Sequence, residues 1–233
     1  MLKFKVFQLR IIFLLSITTI QLFSVDIPYS ERYWKKRYLF GGNSGLGSYG
    51  KLASFKAAVI NKFVEENKIE TVIEYGCGDG NQLRLAHYPS YIGFDVSLDA
   101  VLLCRTIFSE DDAKLFKLMG EYSFETADLT LSLDVIFHLL EDEVFDQYMQ
   151  RLFNSSNRFV IIYSSNTDEQ KMAMCEWVKH RKFTDWADNN MPEWELARFI
   201  PNKYQFIKYG EDSTSSFSDF YIYIKRESKL VCF

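Results

Sequence analysis

Apolar positions along the chain follow two alternating periods. Thr71 to Tyr75, Tyr91 to Asp95, Leu129 to Val135 and Arg158 to Tyr163 are short runs of Val, Ile, Leu and aromatic residues, the pattern of buried strands. Lys114 to Leu118 is a weaker run of the same kind. Between and before them the spacing lengthens. Phe55, Val59, Ile60 and Phe63 fall at helical intervals within a helix predicted over Leu52 to Glu66, and further helices are expected over Ser30 to Tyr38 and Glu141 to Phe153. Helices are expected to fill the gaps between these five strands, as parallel pairing requires a crossover. Toward the carboxyl end, Trp194 to Ile200 and Phe217 to Ile224 read as strands joined by Pro201 to Ser216. That joining segment carries no helical pattern, so the pair is predicted to be an antiparallel hairpin. The sum is one α/β domain with a seven-stranded, mostly parallel sheet.

Composition narrows what such a domain does. With 27 Lys and Arg against 31 Asp and Glu, the chain carries a formal charge of -4, which argues against a nucleic-acid partner and leaves a small-molecule or glycan partner favoured. Aromatic residues reach 17%, with 21 Phe and 14 Tyr, enough for a bulky core and an aromatic-lined cleft. Cys77, Cys104, Cys175 and Cys232 show no C-x-x-C spacing, so they are read as reduced structural thiols, with neither a zinc site nor a disulfide framework.

The amino terminus stands apart. Lys3, Lys5 and Arg10 precede an apolar run from Ile11 to Ser24 of signal-peptide length, short for a membrane span. We divide the chain into a signal- or anchor-like segment, 1–25, and a single domain, 26–233. Basic residues on both sides of the run, including Arg32, Lys35, Lys36 and Arg37, leave its orientation open. Membrane association through residues 11–24 and an upstream extension with little effect on the domain are both consistent with the pattern.

The chemistry concentrates after the first strand, in Glu74-x-Gly76-x-Gly78-x-Gly80 followed by the helix-compatible Asn81 to Ala86. Residues without Cβ let the backbone turn tightly and approach a ligand, and an acid at the strand end can hold a charged amino acid moiety. A dinucleotide loop would need its third glycine at 81, where Asn81 stands, so a nicotinamide-dependent oxidoreductase is disfavoured. Asp95, closing the second strand, occupies the position at which doubly wound nucleoside-binding folds accept both ribose hydroxyls. An ordinary strand-to-helix turn and a helix N-cap are the alternative readings of these residues.

In these features, over roughly Tyr33 to Lys225, the chain resembles the class I S-adenosylmethionine-dependent methyltransferases. The resemblance implies a Rossmann-like three-layer sandwich and S-adenosyl-L-methionine as cofactor, with no metal. It implies that Glu74, Gly76, Gly78 and Gly80 contact the methionine part and Asp95 the ribose. Leu131 to Leu140 resembles the family's fourth-strand motif, which borders the transferable methyl group and makes Asp134 a cofactor contact. Tyr33 to Tyr38 resembles the helix that closes over the cofactor, with Trp34 as a stacking residue.

Three further features bear on the acceptor. His138 is a candidate base, since its ordinary pKa lies near neutrality, although a structural residue at that position fits as well. Lys179-His180-Arg181-Lys182 follows the fifth strand, where an acceptor pocket is expected; His180 is its catalytic candidate, and a solvated basic face is the alternative. Gly41 to Gly50 holds five glycines and reads as either a lid or a connector. The expected activity is methyl transfer to a small molecule or glycan; a non-catalytic cofactor-binding module is the alternative.

Overall fold

The computed structural model describes residues 27–170, 176–206 and 215–227. The apolar segment 11–24 lies outside the described residues, and among those described no helix is long and apolar enough to cross a membrane. Strands β1 (Thr71–Tyr75), β2 (Ser90–Asp95), β3 (Lys114–Leu118), β4 (Ala127–Leu133), β5 (Ser156–Ser164), β6 (Trp194–Ile200) and β7 (Asp219–Lys225) form one sheet in the order β3-β2-β1-β4-β5-β7-β6. The first five pair in parallel, and β7 runs antiparallel between β5 and β6. From β1 the connections lead to β2 on one side and on to β4 on the other. A crevice therefore opens at the carboxyl ends of β1, β2 and β4.

Alternate residues of each strand feed opposite cores, which makes three layers. Val72, Leu129, Leu131, Phe159, Ile161 and Ile222 meet Ile60, Phe63 and Val64 of α2 (Gly50–Glu66) and Val101 and Cys104 of α3 (Leu98–Ile107). On the other face Ile73, Tyr75, Val160, Ile162 and Tyr223 meet Phe145, Met149, Leu152 and Phe153 of α4 (Asp142–Asn154) and Phe183 and Ala187 of α5 (Phe183–Asn190). The helical spacing of these side chains turns one face of each helix onto the sheet.

Two expected crossover helices are not formed. Between β1 and β2 there is only a single 3-10 turn, Leu83–Leu85, and between β3 and β4 only Met119–Glu121. In the first case Pro89 stands four residues after Leu85 and one before β2, and a proline disfavours helix at the residue before it, which leaves little room for a crossover helix. The second link, 119–126, is too short for a helix and two turns. Conversely α5 sits in a stretch whose polar composition hid three apolar positions, Phe183, Trp186 and Ala187, at helical spacing.

The helix α1 (Tyr29–Leu39) is tied to the sheet by a residue far away in sequence. Glu141, in the link from β4 to α4, accepts hydrogen bonds from the Tyr29 N–H (2.6 Å), the Ser30 N–H (3.3 Å) and the Ser30 hydroxyl (2.6 Å). A carboxylate there satisfies free N–H groups and complements the positive end of the helix dipole. The tie sets α1 across the crevice.

Candidate active site

The floor of the crevice is the turn after β1. Gly76 (φ 88°) and Gly78 (φ 58°) adopt left-handed conformations, and the N–H groups of Gly76 and Cys77 both donate to the Phe94 carbonyl, at 2.7 and 3.0 Å. A Cβ on Gly78 would stand 2.2 Å from Ser44 Oγ, so glycine is required by the close approach of residues 41–50 as well as by conformation. The Gly78 N–H donates to Asp95 Oδ2 (3.0 Å), while Asp95 Oδ1 accepts from the Ser97 N–H (2.9 Å). The turn and the acid of β2 are thus in direct contact, and both face a cavity of about 270 Å³.

Buried charge dominates this floor. Glu74, 4% exposed, accepts one hydrogen bond, from the Tyr91 hydroxyl (2.7 Å). Burial pushes its pKa up to about 7 against that bond and the nearby Lys56 charge. Asp95, 7% exposed, is likewise pushed up by burial, to about 6, despite its backbone donors. Asp134, the residue after β4, adopts a left-handed conformation (φ 59°), sparsely populated by residues other than glycine. Its carboxylate is gripped by Lys56 Nζ (2.7 Å), itself 1% exposed, and by the Ser218 hydroxyl (2.8 Å), and its N–H donates to the Tyr163 carbonyl (2.8 Å). Four elements thus meet at Asp134, because a Cβ on Gly47 would also lie 2.8 Å from Oδ2.

Residues 41–50 cover the turn. Ser44 and Asp79 bond reciprocally, Ser44 N–H to Asp79 Oδ2 and Asp79 N–H to Ser44 Oγ, both at 2.9 Å. The Tyr49 hydroxyl also donates to Asp79 (2.7 Å), Asn81 Nδ2 donates to the Ser48 carbonyl (2.7 Å), and the Tyr38 hydroxyl meets Ser44 Oγ at 2.9 Å. Partial burial pushes the Asp79 carboxyl up, but these donors outweigh it and hold it below its ordinary value. The segment is a latched cover with Ser44 and Ser48 facing the cavity.

The walls come from α1 and α4. Trp34 and Tyr38, with ring centroids 5.9 Å apart, line one side; Val144, Gln147, Tyr148 and Arg151 line the other. His138 sits at the junction, its ring edge-on to Trp34 at 4.9 Å. Its Nδ1 is 2.9 Å from the Trp177 carbonyl, an acceptor only, so the neutral ring carries its proton on Nδ1 and a lone pair on Nε2. Burial pushes the His138 pKa down to about 4, so this neutral form holds at pH 7.

Trp34, Glu74, Gly76, Gly78, Asp95, Asp134 and His138, singled out in the sequence, all line one cavity. Gly80 does not: a Cβ there would press on Phe108 and Cys104, so this glycine serves the packing of α3. His180 does not line it either. It is 1% exposed, bonded through Nδ1 to the Ser165 hydroxyl (2.6 Å) and packed edge-on against Phe217. The adjoining basic residues are likewise engaged, Lys179 with Asp142 and Arg181 with Asp142 and the Leu139 and Leu140 carbonyls. Lys56 was missed, although a lysine between Leu52 and Ile60 on an otherwise apolar helix stripe was a readable sign. Arg151 carried no such mark.

No family profile matches the sequence, and no curated protein is similar to it. Solved structures are similar in shape. The N-methyltransferase NodS from Bradyrhizobium japonicum WM9, in complex with S-adenosyl-L-homocysteine, superposes with a TM-score of 0.62 at 12% identity over 86% of this chain and 100% of its own. Magnesium protoporphyrin IX methyltransferase from Synechocystis PCC 6803, with bound S-adenosylmethionine, gives 0.59 at 15% identity over 86% and 99%. This is the class I methyltransferase fold. The methyltransferase domain of bacterial CtHen1 shares it too, with a TM-score of 0.54 at 17% identity over 72% and 97%. The antiparallel end of the sheet, β5-β7-β6, belongs to the same methyltransferase architecture.

Proposed function

We propose that the chain is an S-adenosylmethionine-dependent methyltransferase acting on a small-molecule or glycan acceptor. The observation that carries this reading is the contact of Gly78 with Asp95 at the floor of a single cavity. Glu74 and the Gly76–Gly78 turn are assigned the methionine part of the cofactor, Asp95 the ribose and Trp34 a stacking contact. The lining fits such a ligand chemically. Among the described residues Glu31, Glu74, Asp79, Asp95 and Asp134 face the cavity against Lys56 and Arg151 as cations, an imbalance that favours a positively charged guest. Hydroxyl and ammonium donors would also relieve the buried Glu74 and Asp95 carboxylates.

When bound, S-adenosylmethionine supplies an electrophilic methyl group on a sulfonium sulfur. The chain aligns an acceptor oxygen or nitrogen for in-line attack and excludes water through the cover 41–50, effects that carry most of the acceleration. His138 is assigned the proton removed from the acceptor, on the Nε2 lone pair that its Nδ1 hydrogen bond leaves available. Asp134, fixed by Lys56 and Ser218, holds the β4 corner beside His138 in place.

Incubating the full chain with a methyl-labelled cofactor and a fractionated cell extract, followed by mass spectrometry, tests the reading. It predicts label in one acceptor fraction. Cofactor binding with no transfer to any fraction would instead mean a binding module.

A further inference from the structure

We propose that the α4 wall of the cavity is an acceptor subsite that takes an anionic group, a carboxylate or phosphate, on the guanidinium of Arg151. The inference rests on the methyltransferase reading. Val144, Gln147, Tyr148 and Arg151 are spaced i, i+3, i+4 and i+7 on α4 and all line the cavity, so they make one stripe along the helix. At about 1.5 Å per residue this stripe carries the cavity roughly 10 Å from Val144 to Arg151.

Arg151 is half-buried, with its Cζ 5.1 Å over the centroid of Tyr122. Tyr122 is anchored in turn, its hydroxyl 2.8 Å from Ser155 Oγ, which also meets the Tyr75 hydroxyl at 2.7 Å. The guanidinium therefore rests on a fixed ring, and stacking leaves its in-plane N–H groups able to donate. Among the described residues the Arg151 side chain makes no hydrogen bond and no ion pair. Other partly buried arginines behave differently: Arg37, Arg158 and Arg181 each donate to backbone carbonyls. The cavity's other cation, Lys56, is already neutralised by Asp134. A guanidinium positioned on Tyr122, without a hydrogen bond or ion pair among the described residues and lining the cavity, matches the two-pronged recognition of a carboxylate or phosphate. The cofactor's own carboxylate is not the partner in this reading, because its methionine end is assigned to the turn after β1.

The test uses the full chain saturated with S-adenosylhomocysteine, titrated calorimetrically with benzoate and with phenyl phosphate, and with benzamide as the neutral control. At least one anion is expected to bind about tenfold more tightly than benzamide, and Arg151→Gln is expected to lose that preference while Arg151→Lys keeps part of it. The stronger of the two anions identifies the group. S-adenosylhomocysteine affinity should stay within about twofold in both variants. Anion binding no better than benzamide, or unchanged in Arg151→Gln, overturns the inference. A loss of S-adenosylhomocysteine affinity in both variants overturns it too, by moving Arg151 to the cofactor. Failure of the unaltered chain to bind S-adenosylhomocysteine sinks the methyltransferase reading itself.

Discussion

The crevice floor and the segment that follows β5 lie at the same edge of the sheet and are both rich in buried polar groups, yet they are built on opposite principles. After β5 the polar groups answer one another: Ser165 meets His180, Gln170 bonds both the N–H and the carbonyl of His180, Asn166 pairs with Thr184, and Arg181 spans the Leu140 carbonyl and Asp142. On the floor the carboxylates also have partners, but the partners do not offset their burial. Glu74 and Asp95 are held where their charged forms are disfavoured, and Asp134 adopts a conformation few aspartates take. The first arrangement is a structural staple; the second holds an unfavourable state, the kind that clusters at binding sites and that the proposed cofactor would relieve.

The largest effects should separate the two histidines. His138→Gln is predicted to slow methyl transfer to the identified acceptor about 100-fold with S-adenosylhomocysteine affinity unchanged. Because its pKa lies near 4, His138 should add no limb to the rate profile between pH 6 and 8. His180→Gln should lower the melting temperature and leave the rate of the folded protein within about twofold. Equal losses of rate in both variants would erase the contrast between floor and staple.

A smaller effect sharpens it. Glu74 has a folded pKa raised above its unfolded value, so its stabilisation is complete below about pH 4 and is lost as the pH rises through about 7. Glu74→Gln should therefore stabilise the ligand-free protein at pH 8 by roughly 3 kcal/mol, with the gain fading toward pH 5. The same variant should bind S-adenosylhomocysteine about tenfold more weakly, because a neutral amide replaces an anion facing an ammonium group. Denaturant melts at the two pH values, with and without ligand, check both signs; destabilisation at pH 8 would contradict the account.

Much of this was legible before the structure. The runs Thr71–Tyr75, Lys114–Leu118 and Trp194–Ile200 coincide with β1, β3 and β6; the central β1 is a nearly unbroken buried run, whereas β3 and β6, at the two edges of the sheet, mix apolar with charged residues. Cavity residues at strand ends were legible for a related reason: the chain must turn where a strand stops, and glycines with nearby acids mark such turns. Side-chain direction was not legible. His138 and His180 both follow strands, but His180 is drawn inward by Ser165 and Phe217, partners brought together only by the fold. Gly80 matched the glycine spacing, yet its backbone lies against Phe108 and Cys104 at α3 and not along the cavity. Arg151 was hidden for a simpler reason. On an amphipathic helix an arginine looks solvent-facing, and only the short β3–β4 link with Tyr122 turns its position into a cavity wall.

The central claim is that the turn after β1 and the acid closing β2 hold one sulfonium nucleoside between them. Calorimetric titration of the full chain with S-adenosylhomocysteine, alongside Asp95→Ala, tests it most directly. The account predicts a single site in the unaltered chain and an affinity at least ~100-fold weaker in the variant, since a buried charged acceptor for the ribose hydroxyls is lost. No binding by the unaltered chain, or equal affinity in the two proteins, would contradict it.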